Sequence, residues 1–208
     1  MLYGSIVALY QTSFKRLLAY GSITHMGFIM YSLSLYSALS ITASIFYLLV
    51  YVVLMLFAFC FMFFLFESDG KNYTFLDDIS RFGNVLNKNN LLTLYFAYIL
   101  ISLAGLPFFV GFVSKWYIFI SLLAKNQFVD IIILIGVSVL SSAYYIRLIR
   151  FLSFVEVKDK KVKFNEIVKL SNSFYALIAF LFLINILIIF YHNLIFLYIL
   201  KCVLGLFP

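Results

Sequence analysis

Long apolar runs separated by short polar segments set the pattern of this 208-residue chain. A helix needs about 20 predominantly apolar residues to cross a bilayer, and the runs reach about that length repeatedly. The predicted spans are 17–39, 41–66, 91–124, 128–146 and 171–200. The pattern therefore predicts an all-α, polytopic membrane protein with about five transmembrane helices, forming a single membrane domain over 1–208.

Two segments outside these spans need a separate interpretation. Residues 1–10 are apolar but too short to cross a bilayer, and we interpret them as the end of a helix or an interfacial piece. Residues 67–90 are polar and are expected to contain a short surface helix.

The run over 91–124 is too long for one straight span. Its 34 residues would extend about 51 Å as a helix, whereas the hydrocarbon core is about 30 Å thick. Two separate spans would be short and would lack a polar turn between them. The middle reads Gly105-Leu106-Pro107, where proline removes a backbone donor and glycine loosens the helix. We predict one discontinuous helix broken near 105–108, a feature that marks ion sites in transporters.

Composition supports a lipid environment. The chain is 65% hydrophobic and 11% charged, whereas soluble domains carry about 25% charged residues. Its net charge of +7 comes mainly from residues between the spans, so nucleic-acid binding is not indicated. If the spans alternate in direction, 12 basic residues fall on one side and 2 on the other. The positive-inside rule places the larger group in the cytoplasm or organellar matrix, which predicts a C-terminus on the outer side.

Lys115 is the only charged residue of the broken span. A lysine near the bilayer centre costs about 2.5–3.5 kcal/mol on insertion scales, so its presence indicates function. Snorkelling to the interface is the alternative, but the polar end at Lys125 is about 15 Å away along the helix, which a lysine side chain does not cover. Because burial disfavours a charged amine, a lysine here is suited to accept and release protons.

Other polar side chains in the spans have several interpretations. His25 lies inside the first span and suits either a proton relay or an interhelical hydrogen bond. His192 lies near a membrane edge, where an interfacial role is expected. Tyr144 and Tyr145 precede Arg147 and are interpreted as part of an aromatic belt at the membrane surface.

Motifs of redox and nucleotide chemistry are missing from the sequence. Its two cysteines, Cys60 and Cys202, are too few to ligate an iron–sulfur cluster. The sequence contains no GxGxxG segment, phosphate loop or HExxH motif. We therefore expect no metal site and no bound cofactor in this chain.

Two segments resemble a known family. Residues 11–27, QTSFKRLLAYGSITHMG, resemble the QT-x-x-KR-x-LAYSSI-x-HMG segment of subunit 2 of NADH dehydrogenase, with Gly21 in place of a serine. Residues 102–117, SLAGLPFFVGFVSKWY, resemble its SLAG-I/L-P-x-x-x-GF-x-SK-F/W-Y segment. Subunit 2 is an antiporter-like, proton-pumping subunit of respiratory complex I, the NADH:ubiquinone oxidoreductase. The resemblance covers nearly the whole chain and identifies it with the second repeat, the C-terminal half of that subunit.

The resemblance implies a role for each matching residue. Lys115 matches the lysine of the broken twelfth helix, which belongs to a proton path in that family. Lys15 matches the basic residue at the mouth of the tenth helix, and His25 matches a polar position within it. The positions that match the helix break are Gly105, Leu106, Pro107 and Gly111.

The resemblance also implies partners and a location. The partners are other membrane-arm subunits of complex I and membrane lipids, without nucleic acid. NADH, FMN, iron–sulfur clusters and ubiquinone belong to other subunits of that enzyme. The expected location is the mitochondrial inner membrane with the C-terminus toward the intermembrane space, or the plasma membrane of a bacterium.

The family's first repeat has no counterpart in these 208 residues. We expect a split gene, with a separate chain supplying the N-terminal half of the subunit. Two alternatives remain open. The chain is either part of a multisubunit cation/proton antiporter, or a half-subunit that only scaffolds the membrane arm without pumping.

Overall fold

The computed structural model describes residues 1–64, 66–69, 72–75, 90–154 and 172–205. Over these residues the chain forms seven α-helices and a two-stranded antiparallel hairpin. The helices are α1 Leu2–Leu9, α2 Phe14–Ser34, α3 Ala38–Phe64, α4 Asn90–Ala104, α5 Val110–Leu123, α6 Phe128–Phe154 and α7 Asn172–Leu204. The predicted all-α fold with one discontinuous helix is confirmed.

Three of the described helices are long and apolar enough to cross a membrane. Their apolar stretches are Ala38–Phe61 in α3, Phe128–Arg150 in α6 and Tyr175–Leu204 in α7. The half-helices α4 and α5 contain shorter apolar stretches, so they form one crossing only in combination. Helix α2 has 21 residues, enough for about 30 Å, and is less apolar because it carries His25 and several hydroxyl groups.

Helix α3 is central to the bundle. It packs against α2, α4, α5 and α7. Phe46, Val50, Leu54 and Phe57 are all buried on it, at the spacing of one helical face. The remaining faces of α6 and α7 expose many large apolar side chains, as expected for helices that contact lipid. Helix α3 is therefore the support against which α2 and the two half-helices are held.

The break after α4 is a glycine-terminated helix end. Gly105 has a φ of +76°, a left-handed conformation that glycine adopts without a Cβ penalty. Its N–H donates to the Ser102 carbonyl at 3.0 Å, and the Leu106 N–H donates to the Ile101 carbonyl at 3.4 Å. These two bonds form a Schellman motif. Helix α4 therefore ends at Ala104, and some of the carbonyl groups of its last turn already accept hydrogen bonds.

Helix α5 begins directly beside the end of α4. Pro107 lies in the exposed connection, and Phe109 has an extended backbone (φ −108°, ψ 155°) before the first helical residue, Val110. The first turn of α5 approaches α4 so closely that a Cβ on Gly111 would overlap the Ser102 carbonyl oxygen. The two half-helices thus meet backbone to backbone, and this contact requires a glycine.

Several helix boundaries differ from the predicted spans. Helix α2 begins at Phe14 and ends at Ser34, five residues before the predicted end, because Tyr36 adopts a φ of +46° that turns the chain toward α3. Helix α6 continues past the predicted end at 146 to Phe154, which adds about 12 Å. The arginines in that segment therefore lie on a helix rather than in a loop.

The polar segment after α3 begins with a hairpin rather than a helix. Strand β1, Phe66–Asp69, pairs antiparallel with β2, Asn72–Phe75, with Phe66 opposite Phe75 and Asp69 opposite Asn72. The rest of the segment in which we expected a surface helix, 76–89, lies outside the described residues.

Two glycine substitutions test the contact between the half-helices. We expect Gly111→Ala to lower stability by about 1–3 kcal/mol, the usual cost of overpacking, because the obstructing atom belongs to the backbone. Gly136→Ala is the matched control, since a Cβ there meets nothing within 4 Å, and helix propensity favours alanine by up to about 1 kcal/mol. Thermal unfolding in detergent measures both variants. Equal melting temperatures would contradict the close approach.

Candidate functional site

Lys115 lies in the first turns of α5 and is buried, with 3% of its surface exposed. Its Nζ donates to the Ala104 carbonyl at 3.1 Å and to the Ser141 Oγ at 3.2 Å. Ala104 is the last residue of α4, and Ser141 lies on α6. The amine therefore bridges the two sides of the helix break and the neighbouring helix.

Both acceptors are available for a physical reason. The last carbonyls of a helix have no intrahelical partner, and they carry the negative end of the helix dipole. The Ala104 oxygen is one of these groups. The Ser141 hydroxyl donates its own proton to the Ser138 carbonyl at 2.7 Å, so its lone pairs are left to accept from Lys115. Both acceptors are therefore held in place by their own helices and not by the amine.

Gly105 leaves room for the amine, and an aromatic ring nearby interacts favourably with its charged form. A Cβ on Gly105 would lie 2.8 Å from the Lys115 Nζ, so glycine is needed here for space as well as for its backbone conformation. The Phe28 ring lies with its centroid 5.6 Å from the Nζ, within the range of a cation–π interaction.

His25 is buried on α2 among tyrosines, with 4% of its surface exposed. Its Nδ1 is 2.8 Å from the Tyr47 hydroxyl, and its Nε2 is 3.4 Å from the Tyr145 hydroxyl. The Tyr51 ring stacks on the imidazole with a centroid separation of 5.0 Å. Both ring nitrogens are therefore within reach of a hydroxyl group, and these hydroxyl groups fix the orientation of the ring.

The predicted aromatic-belt position of Tyr144 and Tyr145 is wrong. Each is 1% exposed, and they lie inside the bundle against α2. The Tyr144 hydroxyl is 3.4 Å from the Thr24 Oγ1, and a Cβ on Gly21 would lie 2.9 Å from the Tyr145 hydroxyl. Because α6 continues to Phe154, these tyrosines lie two turns before its end rather than at it.

A small cavity of about 10 Å³, close to the least volume that holds one water molecule, is lined by both buried basic side chains. It is lined by residues of four helices, among them His25, Tyr47, Tyr51, Ser102, Ser114 and Lys115. Most of the surface that faces the cavity is apolar, and its polar groups are a few hydroxyl, imidazole and amine groups. The structure thus brings Lys115 and His25, which are 90 residues apart in sequence, to the same small cavity.

Gly111 of the helix break also lines this cavity, whereas the candidate residues Lys15 and His192 do not. Lys15 is the second residue of α2 and is partly buried, about 15 Å along the helix from His25. His192 on α7 pairs its Nδ1 with the Ile189 carbonyl at 2.7 Å and lies beside the Tyr117 ring. Among the described residues, no group of three or more His, Cys, Asp or Glu side chains is placed to hold a metal.

Reasoning from the sequence missed three of the polar groups at this site: Ser102, Ser141 and Tyr47. The sequence did hold a signal for Ser141, since Ser138, Ser141 and Ser142 place hydroxyl groups on an otherwise apolar helix. Small polar residues of this kind mark helix faces that pack against other helices in membranes. Among these three serines Ser141 is the buried one, and the pattern names neither the buried hydroxyl nor the partner that it meets.

Comparison with solved structures identifies this arrangement with a known fold. A chain of the membrane-bound sulfane sulfur reductase, an archaeal respiratory membrane complex, superimposes with a TM-score of 0.79 at 23% identity, covering 97% of this chain and 39% of the other. Respiratory complex I from Thermus thermophilus with bound aureothin contains a chain with a TM-score of 0.74 at 24% identity, covering 94% and 42%. Both likenesses establish the fold.

Sequence comparison establishes the family. The NADH-ubiquinone oxidoreductase chain 2 of Metridium senile is 31% identical over 188 residues, which cover 85% of this chain and 47% of that protein. This chain therefore spans less than half of that relative's length. Residues 1–141 match the family described as NADH:quinone oxidoreductase/Mrp antiporter, transmembrane. Since this match includes both buried basic residues and the helix break, the chain belongs to the NADH:quinone oxidoreductase/Mrp antiporter family of membrane proteins.

Proposed function

We propose that this chain is the proton-translocating C-terminal half of an antiporter-like subunit in the membrane arm of respiratory complex I. The observation that carries the proposal is Lys115, a buried amine held at a helix break by the Ala104 carbonyl and Ser141, beside a small cavity that His25 also lines. A merely structural lysine would not need a cavity on one side. A proton carrier needs both a fixed amine and a route for protons.

The chemistry follows from two opposing influences on the amine. The apolar surroundings favour the neutral form, because a charge is poorly solvated there. The Ala104 carbonyl, Ser141 and the Phe28 ring favour the ammonium form. Because these influences oppose one another, a change in potential from elsewhere in the complex would shift the balance between the neutral and the ammonium form. Quinone reduction in other subunits would supply that change.

The choice of complex I over an antiporter rests on the relatives. The family includes Mrp antiporters, whereas the matched Metridium senile protein is a chain of NADH-ubiquinone oxidoreductase. Under this proposal the partners are the other membrane-arm subunits and the surrounding lipid. NADH, FMN, iron–sulfur clusters and ubiquinone would be bound elsewhere in the complex. The first repeat of the fold would come from a further part of the subunit or from a separate chain.

The proposed location is the mitochondrial inner membrane, with the C-terminus toward the intermembrane space. The charge distribution supports this orientation, since 12 basic residues lie on the side opposite the C-terminus. A bacterial plasma membrane with the same orientation is the other location compatible with the family. Labelling of an added C-terminal cysteine with a membrane-impermeant reagent would distinguish the two sides.

Lys115 substitutions test the central claim. We expect Lys115→Met to abolish pumping while assembly and quinone reduction remain measurable, because methionine fills similar space without a titratable group. Lys115→Arg should also fail, since a guanidinium cannot release its proton in a protein. Pumping by the reconstituted complex is measured with a pH-sensitive dye. Lys201→Met is the control, because Lys201 is exposed at the end of α7.

Three results would separate the alternatives. Normal proton-to-electron stoichiometry in Lys115→Met would refute the proton-carrier role and favour a scaffold. Pumping retained by Lys115→Arg would indicate that only the charge matters. Sodium-dependent transport, without quinone-reducing activity in the purified complex, would favour the antiporter.

Ser141 provides a graded test of the same site. We expect Ser141→Ala to reduce pumping by about tenfold, which corresponds to the loss of one hydrogen bond to a charged group. Ser142→Ala is the matched control, since its hydroxyl is exposed and donates only to the Val139 carbonyl. Initial pumping rates per electron transferred measure both variants. An equal effect of the two substitutions would contradict a role of the Ser141 hydroxyl in pumping.

A further inference from the structure

The connection between the two half-helices lies at the surface of the bundle and near the middle of the membrane. Helix α4 has 15 residues and α5 has 14, so each extends about 21–23 Å, and the break lies at about half the depth of the crossing. Pro107 and Phe108 are exposed there, and Phe108 has 94% of its surface exposed. An irregular backbone segment therefore faces outward at the depth where a bilayer contains hydrocarbon.

Several backbone groups of this connection have no partner in the part of the chain that the structure describes. The Phe109 N–H donates to the Leu106 carbonyl at 3.3 Å. The Phe108 N–H donates to no described group, and the Pro107 and Phe108 carbonyl groups accept from none. Irregular backbone is tolerated at this depth only where protein or a water-filled cavity covers it. Water on this outer face would itself need a protein wall to separate it from lipid. The connection therefore requires cover by protein.

Phe108 has a backbone conformation that suits glycine. Its φ is +73°, and it is the third residue of a turn that begins at Leu106, with Pro107 second. Turns with proline second and a positive φ at the third residue usually have glycine there, and a bulky side chain in this conformation is uncommon and strained. The side chain gains no burial inside the bundle in return, since it is almost fully exposed. A contact outside the bundle would explain its position.

Two aromatic side chains on α5 continue the exposed surface from Phe108. Phe112 and Trp116 follow at four-residue intervals, and their rings stack with a centroid separation of 6.0 Å. Trp116 is 50% exposed. We call Phe108, Phe112 and Trp116 the aromatic strip. Exposed aromatic side chains are enriched at the centres of protein interfaces. They are also compatible with lipid, so the unpaired backbone beside the aromatic strip is what favours a protein partner.

We propose that the helix break and the aromatic strip form a docking surface for a membrane-embedded helix of a neighbouring subunit, which presents hydrogen-bonding side chains to the unpaired backbone groups. Donors to the unpaired carbonyl groups must come from side chains, because the N–H groups within an intact helix are already paired along the helix. Serine, threonine, asparagine and glutamine carry such donors, and they commonly join helices in membranes. The docking surface rests on the membrane-arm location in the proposed function, but not on proton transfer by Lys115.

Photo-crosslinking from residue 108 in the assembled complex tests the docking surface. Phe108 is replaced by p-benzoylphenylalanine, which keeps an aromatic ring, and membranes are irradiated before the complex is purified. We expect an adduct with another subunit, which peptide mass spectrometry places on a membrane-spanning segment that contains serine, threonine, asparagine or glutamine. Adducts with lipid alone, or with a second copy of this chain, would overturn the proposal.

Phe190 is the matched reference position for this experiment. It is an aromatic residue of an intact helix, α7, and is 77% exposed, so its backbone needs no cover and lipid can surround it. The same replacement at Phe190 should give a several-fold lower ratio of subunit adducts to lipid adducts than at Phe108. Equal ratios at the two positions would contradict a surface defined by the helix break.

Phe108→Gly separates docking from folding. Glycine relieves the strained backbone conformation, so we expect the chain to reach normal levels in the membrane. Loss of the aromatic anchor should make the chain dissociate from the purified complex in detergent at least about tenfold faster. Phe190→Ala removes an exposed aromatic side chain from α7 and should change this rate by less than about twofold. Equal dissociation rates of the two variants would contradict the docking surface.

Comparison with Lys115→Met keeps the two proposals distinguishable. If Lys115→Met pumps normally while residue 108 still crosslinks to a neighbouring subunit, the proton-carrier role fails and the docking surface stands. If residue 108 captures only lipid while Lys115→Met abolishes pumping, the docking surface is wrong and the proton-carrier role stands. Should the variants at residue 108 fail to assemble, a density map of the unmodified complex decides. A helix of another subunit within about 4 Å of the Phe108 ring supports the docking surface, and lipid density alone overturns it.

Discussion

The structure depends on a single constraint, which is that an amine must be accommodated inside a bilayer-spanning bundle. Within an intact helix, each interior carbonyl already accepts a backbone hydrogen bond and has only its second lone pair to offer. The last carbonyls of a helix have no intrahelical partner, so they can accept fully from an amine. Ending α4 at Ala104 places such a group 3.1 Å from the Lys115 Nζ. The helix break and the lysine therefore depend on each other. The unpaired carbonyl would cost free energy without the amine, and the buried amine would cost free energy without the carbonyl.

Two glycines allow the backbone to adopt the geometry of this site. Gly105 supplies the left-handed turn that ends α4, and it leaves the space that the lysine side chain occupies. Gly111 allows the first turn of α5 to lie against the Ser102 carbonyl. A side chain at either position would move α5 relative to α4 and would carry the amine away from its acceptors. The geometry of the site is thus set by backbone contacts, which are stiffer than contacts between side chains.

The spans, the helix break and the membrane depth of Lys115 can be predicted from the sequence because each depends on position along the membrane normal. Length, hydropathy and a proline-glycine interruption report depth well. They do not report which face of a helix points inward. Tyr144 and Tyr145 were therefore assigned to the interface from their nearness to Arg147, although they are buried against α2. Ser141 and Tyr47 were missed for the same reason, since their importance arises from helices that meet only after folding. The Gly21 position was noted as a difference from the family, but its contact with the Tyr145 hydroxyl needed the folded bundle.

Because the lysine is held by the end of one half-helix and carried by the other, its charge and the local geometry are coupled. The ammonium form binds the Ala104 carbonyl and Ser141 more strongly than the neutral amine does, since hydrogen bonds to charged groups are stronger. Loss of the proton therefore weakens the link from α5 to α4 and to α6 at the same moment. The connection between the half-helices contains no other helical turn to oppose such a change, and Phe108 within it is 94% exposed. Any change in potential that removes the proton consequently acts on the packing of three helices, and any movement of these helices acts back on the affinity of the amine for its proton.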